Sequence, residues 1–555
     1  MLGQMQKTPL LVNGILDYAA LYHGEREIIS RLVEGEIHRE TYAQAHLRAR
    51  KLSQSLLKLG LTQGDIIATL AWNTHRHLES WYAITGIGAV YHTLNPRLFA
   101  EQLVYIINHA ADKFIITDLT FVPLLEAIAD KLPTVKGFII MTDEAHMPQT
   151  KLDPVYCFES LIEAENGDFD WVALDENAAC GICYTSGTTG QPKGVVYSHR
   201  SNVIHTLVAN GADVFALTSR ATILPVVPMF HANSWGIAFA APMVGAKMVL
   251  PGPKMDGESL YELLDKEKVT MSAAVPTIWL MLLQHLEAHK LSLPHLQRVL
   301  IGGAAVPRMM IEKFEKDYKV EVDHAWGMTE TSPLGTVCTL KAGMENYSFE
   351  EKMQTKLKQG RPPYLIWLKI TDPDGKTLPR DGKTFGNLKI KGPFILETYL
   401  REENEIVLDE EGFFDTGDIA TIDPEGYMQI TDRAKDIVKS GGEWISSIEI
   451  ENIAVGHADI AEAAIIGIAH PKWGERPLLI VLPREGVDIS TPEKVQKDIL
   501  AYLEGKIAKW WMPDDIVFVD SMPHTAAGKI QKTALREQFK DYQWPPAILA
   551  DDKGE

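Results

Sequence analysis

Helical and extended patterns of hydrophobic residues alternate along the first 150 residues of the chain. Residues 41–44 have the form of a helix capping box, leucines then recur at helical spacing, and Gly60 stands where the helix should end. Short apolar runs that predict strands follow the helical patterns at residues 65–70, 114–117 and 138–141. This alternation predicts a parallel sheet covered by helices.

The pattern continues through residues 215–325 and then changes. Further strands are predicted at residues 226–228, 247–250 and 298–301. Beyond residue 360, glycine, proline and aspartate become frequent, and residues 388–391 alternate as in a twisted antiparallel sheet. After Asp432, a compact unit is predicted, with strands at residues 463–468, 478–482 and 515–520 and a helix that opens at residues 490–493.

The expected fold class is therefore α/β with two domains. We expect a large N-terminal domain of parallel-sheet αβ subdomains plus a twisted β subdomain over residues 1–431. A small α+β C-terminal domain is expected over residues 432–555. The composition, with 46% hydrophobic and 23% charged residues in 555, is that of a globular protein and excludes fibrous and disordered classes.

Net charge narrows the classes of ligand. The chain has 54 basic and 74 acidic residues, a formal charge of −20, which opposes non-specific binding to nucleic acid or to an anionic membrane. An anionic ligand must therefore be held by local groups. No nucleic-acid partner is expected.

The four cysteines are too few for a disulfide scaffold in a chain of this length and favour a reducing compartment. Cys180 and Cys183 have redox or zinc spacing, but no second pair accompanies them and they lie in an apolar run, so we interpret them as core residues. The first eleven residues lack a basic segment followed by an apolar run, and the most apolar stretches are short and interrupted by proline. A cytoplasmic protein without a transmembrane segment is expected.

The strongest local motif spans Tyr184 to Gly194, with the sequence Tyr-Thr-Ser-Gly-Thr-Thr-Gly-Gln-Pro-Lys-Gly. Glycine amides, hydroxyls and a lysine together are typical of a loop that holds phosphate, although a flexible surface turn is the simpler alternative. The loop is not a Walker A motif, because Pro192 stands where glycine is required. It is not a nucleophile elbow either, since Tyr and Thr flank Ser186 at the two positions that require glycine.

This run resembles the signature of the acyl-adenylate-forming (AMP-binding) family, which includes acyl-CoA synthetases, firefly luciferase and adenylation domains of nonribosomal peptide synthetases. The resemblance extends from about residue 11 to residue 540, with the motifs in family order. Within the family the chain looks most like bacterial medium- or long-chain fatty acyl-CoA synthetases and 3-methylthiopropionate-CoA ligases. The resemblance implies a mobile C-terminal domain, ATP, Mg²⁺ and coenzyme A as reagents and cofactors, and a homodimer.

The resemblance also implies a nucleotide site. Its members are Thr185, Ser186, Gly187, Thr188, Thr189, Gly190, Lys193, Gly302, Gly303, Ala304, His324, Ala325, Trp326, Gly327, Met328, Thr329, Asp418, Arg433, Lys435, Lys439 and Trp444. The family usually has tyrosine where Trp326 stands, so a hydroxyl contact is lost while stacking on adenine remains. Asp418 is expected to accept hydrogen bonds from the ribose, and Thr185 and Glu330 to contact magnesium.

The remaining implied residues concern catalysis and the second half-reaction. Lys529 is expected to be the catalytic lysine that contacts the carboxylate and the α-phosphate, with His231 and Glu330 as further catalytic residues. Near Lys529, His524 and Ala527 depart from the family pattern, which puts accessory contacts in doubt. Asp432 is the expected hinge. The expected coenzyme A loop is formed by Ser440, Gly441, Gly442 and Glu443.

The acyl site is expected around residues 228–235. The resemblance places His231 beside the reacting carboxylate and makes Trp235 the gate of the acyl tunnel, whereas a histidine and aromatic stripe is more often simply core. Gly303 and Pro333 are expected to complete the pocket. If the segment is helical, Ala238 follows Trp235 by one turn and leaves space beside it.

These residues imply an ATP-dependent carboxylic acid–CoA ligase that forms an acyl-AMP intermediate, releases pyrophosphate and then AMP, and makes an acyl-CoA. The expected substrate is a fatty acid or a short acid similar to 3-methylthiopropionate. Two alternatives stay open. An enzyme of the same fold could pass the adenylate to a carrier protein or to oxygen, and a non-catalytic nucleotide-binding protein could keep the loop without turnover.

Overall fold

The structure is a computed structural model of the chain. It describes residues 1–185, 191–402, 404–433, 436–441, 443–524 and 530–545, and only the backbone of residues 443 and 444. Within these ranges the helices are α1 Asn13–His23, α2 Tyr42–Lys58, α3 His75–Gly86, α4 Ala100–Ala110, α5 Val122–Glu126, α6 Phe158–Glu163, α7 His199–Ala209, α8 Ile237–Val244, α9 Gly257–Lys266, α10 Pro276–His289, α11 Arg308–Glu312, α12 Phe349–Lys356, α13 Ser447–Ala454, α14 Pro492–Leu503 and α15 Lys532–Gln538.

The strands of the same ranges form four sheets. They are β1 Glu27–Arg31, β2 Ile37–Thr41, β3 Ile66–Leu70, β4 Val90–Thr93, β5 Phe114–Thr117, β6 Phe138–Ile140, β7 Val155–Cys157, β8 Ala179–Thr185, β9 Lys193–Ser198, β10 Thr222–Pro225, β11 Lys247–Leu250, β12 Met271–Ala274, β13 Arg298–Ile301, β14 Glu321–Gly327, β15 Leu334–Cys338, β16 Trp367–Thr371, β17 Gly386–Lys391, β18 Phe414–Ile422, β19 Met428–Arg433, β20 Val438–Ser440, β21 Glu443–Ile445, β22 Ile460–His470, β23 Gly474–Pro483 and β24 Asp515–Phe518.

The first sheet has seven strands in the order β7-β6-β5-β3-β4-β8-β9. All of its pairs are parallel except β8 with β9, which form an antiparallel hairpin. Helix α2 begins with the expected capping box at Thr41, and Gly60 follows its end in a left-handed conformation. The parallel sheet expected from the first 150 residues is confirmed.

The second sheet has eight strands in the order β15-β14-β13-β12-β10-β11-β1-β2. The N-terminal strand β1 pairs in parallel with β11, more than 200 residues away in the chain, with Ile29 opposite Val249. Strands β11 and β13 have the predicted bounds. The prediction of a strand at residues 226–228 was wrong, because β10 ends at Pro225 and the amides of Val226 and Val227 both donate to the carbonyl of Ala273.

The third and fourth sheets are smaller. The third, β16-β17-β18-β19, is antiparallel throughout, as expected from the composition after residue 360. The fourth has the path β21-β20-β23-β22, and β24 pairs in parallel with β23. The α/β fold class is therefore confirmed, whereas the domain boundary at residue 432 stays a prediction.

Hydrophobic side chains fill the spaces between sheets and helices. Cys180 and Cys183 are buried on β8 among them as free thiols, as the apolar run around them indicated. Within the described ranges, no helix combines the length and the apolar composition that crossing a bilayer requires.

Candidate nucleotide and acyl site

The predicted phosphate loop connects β8 and β9. Thr185 ends β8 opposite Lys193, the first residue of β9, and residues 186–190 between them lie outside the described residues. The Nζ atom of Lys193 lies 2.9 Å from Glu402 Oε2 and 4.8 Å from the centre of the Tyr399 ring. The lysine is thus fixed at the mouth of the loop.

Glu330 lies beside Tyr399, whose ring Lys193 contacts. Glu330 is on a 3-10 turn at Thr329–Thr331. Its side chain is buried, and Tyr399 Oη donates a hydrogen bond of 3.0 Å to Glu330 Oε1. Burial raises the pKa of Glu330 above its ordinary value, while the Tyr399 hydroxyl and the charge of Arg433 act in the opposite direction. A buried carboxylate with this much desolvation is stabilised in its charged form by a cation.

Trp326 near the end of β14, Asp418 in the middle of β18 and Arg433 at the end of β19 form a polar cluster. Trp326 Nε1 donates a 3.0 Å hydrogen bond to Asp418 Oδ2, and Arg433 Nε lies 3.7 Å from Asp418 Oδ1. The register of β18 with β19 places Asp418 opposite Arg433. The six-membered ring of the indole packs on Gly335, where a Cβ atom would come within 2.3 Å of Cζ3. A larger residue at 335 would therefore displace the indole.

The Gly302–Gly303–Ala304 segment follows β13. A Cβ atom at Gly302 would stand 2.9 Å from the carbonyl oxygen of Ala325 and 3.2 Å from Trp235 Cη2. Gly303 has φ +81°, and the Trp235 ring lies 4.0 Å from the position of its Cβ. The glycine pair therefore separates the strand that carries Trp326 from the indole of Trp235, and a larger residue at 302 would displace one of them.

The segment before α8 is a left-handed turn. Ala232, Asn233, Ser234 and Trp235 have φ values of 43°, 57°, 53° and 54°, and Gly236 has 80°. The condition under which Ala238 would follow Trp235 by one helical turn is not met, since Trp235 lies in the left-handed turn and α8 begins at Ile237. Non-glycine residues in this conformation cost roughly 1–2 kcal/mol each, so the surrounding contacts must hold the turn.

Buried hydrogen bonds hold the turn. Tyr91 Oη donates to Asn233 Oδ1 at 3.1 Å, and Ser234 Oγ donates to the carbonyl of Val227 at 2.9 Å. Upstream, Asn73 Nδ2 donates to the carbonyls of Pro225 and Val227, each at 2.9 Å. Sequence reasoning missed Tyr91 and Asn73. Asn233 could have been noticed, because asparagine tolerates the left-handed region better than most residues.

His231 stands immediately before the left-handed turn and is partly buried, with its amide donating to the carbonyl of Pro228. Pro333 lies across the strand end, with its carbonyl oxygen against Gly327 so closely that no Cβ fits there. His324 is buried behind this surface, and burial lowers its pKa to about 4, so it is neutral. Three further predicted residues lie at or just after the end of β14. They are Ala325, Met328 and Thr329.

The predicted hinge residue Asp432 is almost completely buried. Asp432 Oδ2 accepts a hydrogen bond of 2.8 Å from the Ser447 amide, which starts α13. Burial raises the pKa of Asp432, and Lys532 from α15 opposes that shift. Lys532 in turn lies 2.7 Å from Glu451 Oε1. Asp432 thus connects the last strand of the third sheet to two helices of the C-terminal unit.

The predicted coenzyme A loop lies in the fourth sheet. Lys439 is exposed on β20, and Ser440 is buried with its hydroxyl 3.2 Å from Arg476. Gly441 has φ +60° and its amide donates to the carbonyl of Trp473. Gly442, Lys435 and Lys529 lie outside the described residues, as do the side chains of Glu443 and Trp444. The structure therefore brings together the N-terminal half of the predicted site, and the C-terminal half stays a prediction.

Tyr399 is a further residue that sequence reasoning missed. Its hydroxyl contacts Glu330, and its ring contacts Lys193. Leu400, the next residue, donates its amide to the carbonyl of Gly194 and so joins this segment to β9. No local pattern around residue 399 indicates this position.

The sequence of the chain is similar to that of known proteins. The AMP-binding enzyme family matches residues 16–400, and the AMP-binding enzyme C-terminal domain matches residues 449–529. The chain is 49% identical to a 3-methylmercaptopropionyl-CoA ligase of Ruegeria lacuscaerulensis over 98% of this chain and 99% of the relative. It is 46% identical to a medium-chain-fatty-acid–CoA ligase of Ectopseudomonas oleovorans, over 98% of each.

Among solved structures, the chain resembles ATP-bound MatB from Rhodopseudomonas palustris, with a TM-score of 0.80 and 25% identity over 96% of this chain and 99% of that one. The match to the family covers more than half of the chain, and the two relatives cover almost all of it. The chain belongs to the AMP-binding enzyme family.

Proposed function

We propose that the protein is an ATP-dependent carboxylic acid–CoA ligase. A carboxylate is a poor electrophile, so the acid is first joined to AMP with loss of pyrophosphate, and the coenzyme A thiol then displaces AMP to give an acyl-CoA. The observation that carries the proposal is the position of Gly302, between Trp235 on one side and the carbonyl of Ala325 on the other. An acid that lies along Trp235 and a nucleotide that lies along β14 meet at this glycine.

The nucleotide contacts proposed from the cluster are specific. The ring of Trp326 stacks on adenine. Asp418 accepts hydrogen bonds from the ribose hydroxyls, and Arg433 neutralises the charge of Asp418. The phosphates lie at the β8–β9 loop near Lys193. The α-phosphorus is proposed to lie between these two regions.

The donor set is suited to Mg²⁺, a hard cation that prefers carboxylate and hydroxyl oxygens. Glu330 offers a buried carboxylate and Thr185 a hydroxyl at the end of β8. Bound magnesium would reduce the repulsion between the carboxylate and the triphosphate. Tyr399 orients Glu330 through its hydrogen bond, and the Nζ atom of Lys193 lies over the tyrosine ring.

Lys529 is the proposed catalytic lysine of the first half-reaction only. Rotation about Asp432 then removes it and brings the loop of Ser440 and Gly441 to the adenylate. The buried contact between Asp432 and Ser447 supports this pivot, since it couples the end of β19 directly to the start of α13. His231 is proposed to lie beside the reacting carboxylate.

The proposed substrate is a fatty acid or a short thioether acid. The two relatives are named for a medium-chain fatty acid and for 3-methylmercaptopropionate, which share an unbranched chain and a terminal carboxylate. Trp235 sets the length that the pocket accepts, because its ring closes the space beside Gly303. We further propose a cytoplasmic homodimer, in keeping with the free buried cysteines.

The test is a product analysis of the full-length protein with ATP, Mg²⁺ and a panel of acids of two to eighteen carbons, including 3-methylthiopropionate. With coenzyme A, AMP, pyrophosphate and acyl-CoA should form in equal amounts. Pyrophosphate exchange without thioester formation would instead favour an enzyme with a carrier protein or oxygen as acceptor. Neither activity would favour a non-catalytic nucleotide-binding protein. ADP and inorganic phosphate as products would contradict all three.

A further inference from the structure

We propose that His38, Glu40 and His75 form a binding site for a divalent transition metal of the zinc type that ties β2 to the start of α3. His38 and Glu40 lie two residues apart on the edge strand β2, so they face the same side of the sheet. His75 is the first residue of α3. One ligand atom from each of the three side chains lies within 4.8 Å of the other two. Two imidazoles and a carboxylate are a common donor set for zinc.

The buried members of the trio have polar atoms with nothing to bind. His75 is 1% exposed, and within the described ranges neither of its ring nitrogens has a hydrogen-bond partner. Glu40 is 4% exposed, and its Oε1 also has no hydrogen-bond partner within the described ranges. Buried polar groups without partners are costly, and each one requires an explanation such as an ion. A metal ion held by one nitrogen of His75 and by Glu40 Oε1 gives a partner to two of these three atoms.

The charges around the trio leave room for a divalent cation. Arg48 is bound by Glu79 at 2.6 Å and by Glu159 at 2.9 Å. Arg76 is likewise bound by Glu159 at 2.8 Å and by Glu34 at 2.7 Å.

Glu40 and its three neighbours Glu34, Glu79 and Glu159 are four carboxyl groups, against two guanidinium groups. Both arginines are already engaged by other carboxylates, and Glu40 Oε2 lies 3.5 Å from Arg48 Nε and 3.5 Å from His38 Nε2. A divalent cation at Glu40 would add positive charge to a cluster in which carboxyl groups outnumber guanidinium groups.

Access to the site is through His38. The two imidazole rings are stacked, with centres 3.9 Å apart and planes 16° from parallel, so both can bind one ion only when the rings splay. Since the His38 side chain is 32% exposed, it can rotate while the buried His75 stays in place. Its exposed side also admits a water molecule to the fourth position of the metal.

The site has a structural consequence further along α3. Trp81 of the same helix stacks on Tyr91 with ring centres 4.6 Å apart, and Tyr91 donates to Asn233 in the left-handed turn. A metal that fixes the first residue of α3 to the edge of the second sheet therefore restrains the helix that supports the turn. The proposed role is stabilisation, and it does not depend on the ligase reaction.

The test measures metal binding to the chelator-treated full-length protein. Zinc is titrated in competition with a chromophoric chelator, and Co²⁺ is added in parallel because its visible absorption reports the number and type of ligands. We expect one tightly bound Zn²⁺ per chain and a higher melting temperature with zinc. His38→Ala and Glu40→Gln should each weaken binding at least about 10-fold and remove the temperature shift.

His146→Ala is the matched control, because this exposed histidine pairs with Asp143 on the surface. It should bind zinc as the wild type does. His38→Ala, which alters a partly exposed side chain, should keep the wild-type circular dichroism spectrum. Stoichiometric binding that is lost in both ligand variants and kept in the control supports the site. Absence of tight binding, or binding that survives His38→Ala and Glu40→Gln, would overturn it.

Discussion

Trp326 on β14 and Asp418 on β18 are joined by a hydrogen bond of 3.0 Å between the indole N–H and a carboxylate oxygen. The bond connects the second sheet to the third, at residues 92 positions apart. Because Asp418 also faces Arg433, its carboxylate is held in one orientation with lone pairs left for a ligand. A tyrosine, the usual family residue at this position, has no N–H with which to make this contact.

Trp326→Phe should therefore lower kcat/KM for ATP, although phenylalanine keeps an aromatic ring that can stack on adenine. A hydrogen bond to a charged group contributes about 1.5–3 kcal/mol, so kcat/KM for ATP should fall about 10- to 100-fold in pyrophosphate exchange. Trp367→Phe, at a half-exposed indole on β16, is the control and should match the wild type. An unchanged kcat/KM for ATP in Trp326→Phe would remove the indole N–H from the nucleotide site.

Trp235→Ala should broaden the range of acids that the enzyme accepts. Removal of the ring opens the space beside Gly302 and Gly303, so longer or bulkier acids gain relative to short ones. One methylene in an apolar pocket changes kcat/KM by 10-fold or more, so the ratio of long-chain to short-chain kcat/KM should rise at least about 10-fold. The measurement is thioester formation across an acid series, with Trp367→Ala as the control. The same profile in both variants would show that Trp235 is not the gate.

Much of the fold follows from local pattern. The capping box at Thr41, the strand at Lys247–Leu250 and the strand at Arg298–Ile301 agree with the structure, since each depends on side chains within a few residues. The alternation of helix and strand likewise predicts the parallel first sheet. The roles assigned to motif residues such as Trp326 and Glu330 rest on their order along the chain and stay predictions.

The rest depends on contacts between distant segments. The left-handed turn at residues 232–235 is held by Tyr91, 142 residues before Asn233, and the segment that leads into it is held by Asn73, so residues near the turn do not indicate its conformation. The partner of Glu330 is Tyr399, 69 residues further on. In the same way β1 and β2 complete a sheet whose other six strands begin at residue 222 or later. Such pairings leave no periodic signal in the sequence.

Glu330→Gln should separate stability from activity. Burial raises the pKa of Glu330, so the folded protein favours the neutral carboxyl. The resulting contribution to stability is present below the unfolded pKa and is lost as pH rises through the raised value. The variant should thus melt at a higher temperature than the wild type above neutral pH, by calorimetry.

The same variant should adenylate at least about 100-fold more slowly, because it lacks the charge that a magnesium ion requires. In the wild type, the KM for Mg²⁺ should rise as pH falls towards the raised pKa, and this dependence should be absent in Glu330→Gln. Glu350→Gln, at an exposed carboxylate that pairs with Arg308, serves as the control. A pH-independent KM for Mg²⁺ in the wild type would contradict the assignment of Glu330.

Lys529→Ala should act on one half-reaction. The lysine is proposed to stabilise the pentavalent transition state at the α-phosphorus, and loss of one such donor costs about 10²- to 10³-fold in rate. Pyrophosphate exchange with acid and ATP should fall by that factor. Formation of acyl-CoA from synthetic acyl-AMP and coenzyme A should stay within about twofold of the wild type, because the rotated domain no longer presents the lysine.

The control for this experiment is Lys540→Ala, since Lys540 is an exposed lysine of the same unit that pairs with Glu537. It should leave both half-reactions unchanged, which separates a local effect of Lys529 from a general loss of positive charge. Equal losses in the two half-reactions of Lys529→Ala would mean that the lysine acts in both domain orientations. In that case the hinge at Asp432 could not be the device that withdraws it, and the buried contact between Asp432 and Ser447 would have a purely structural role.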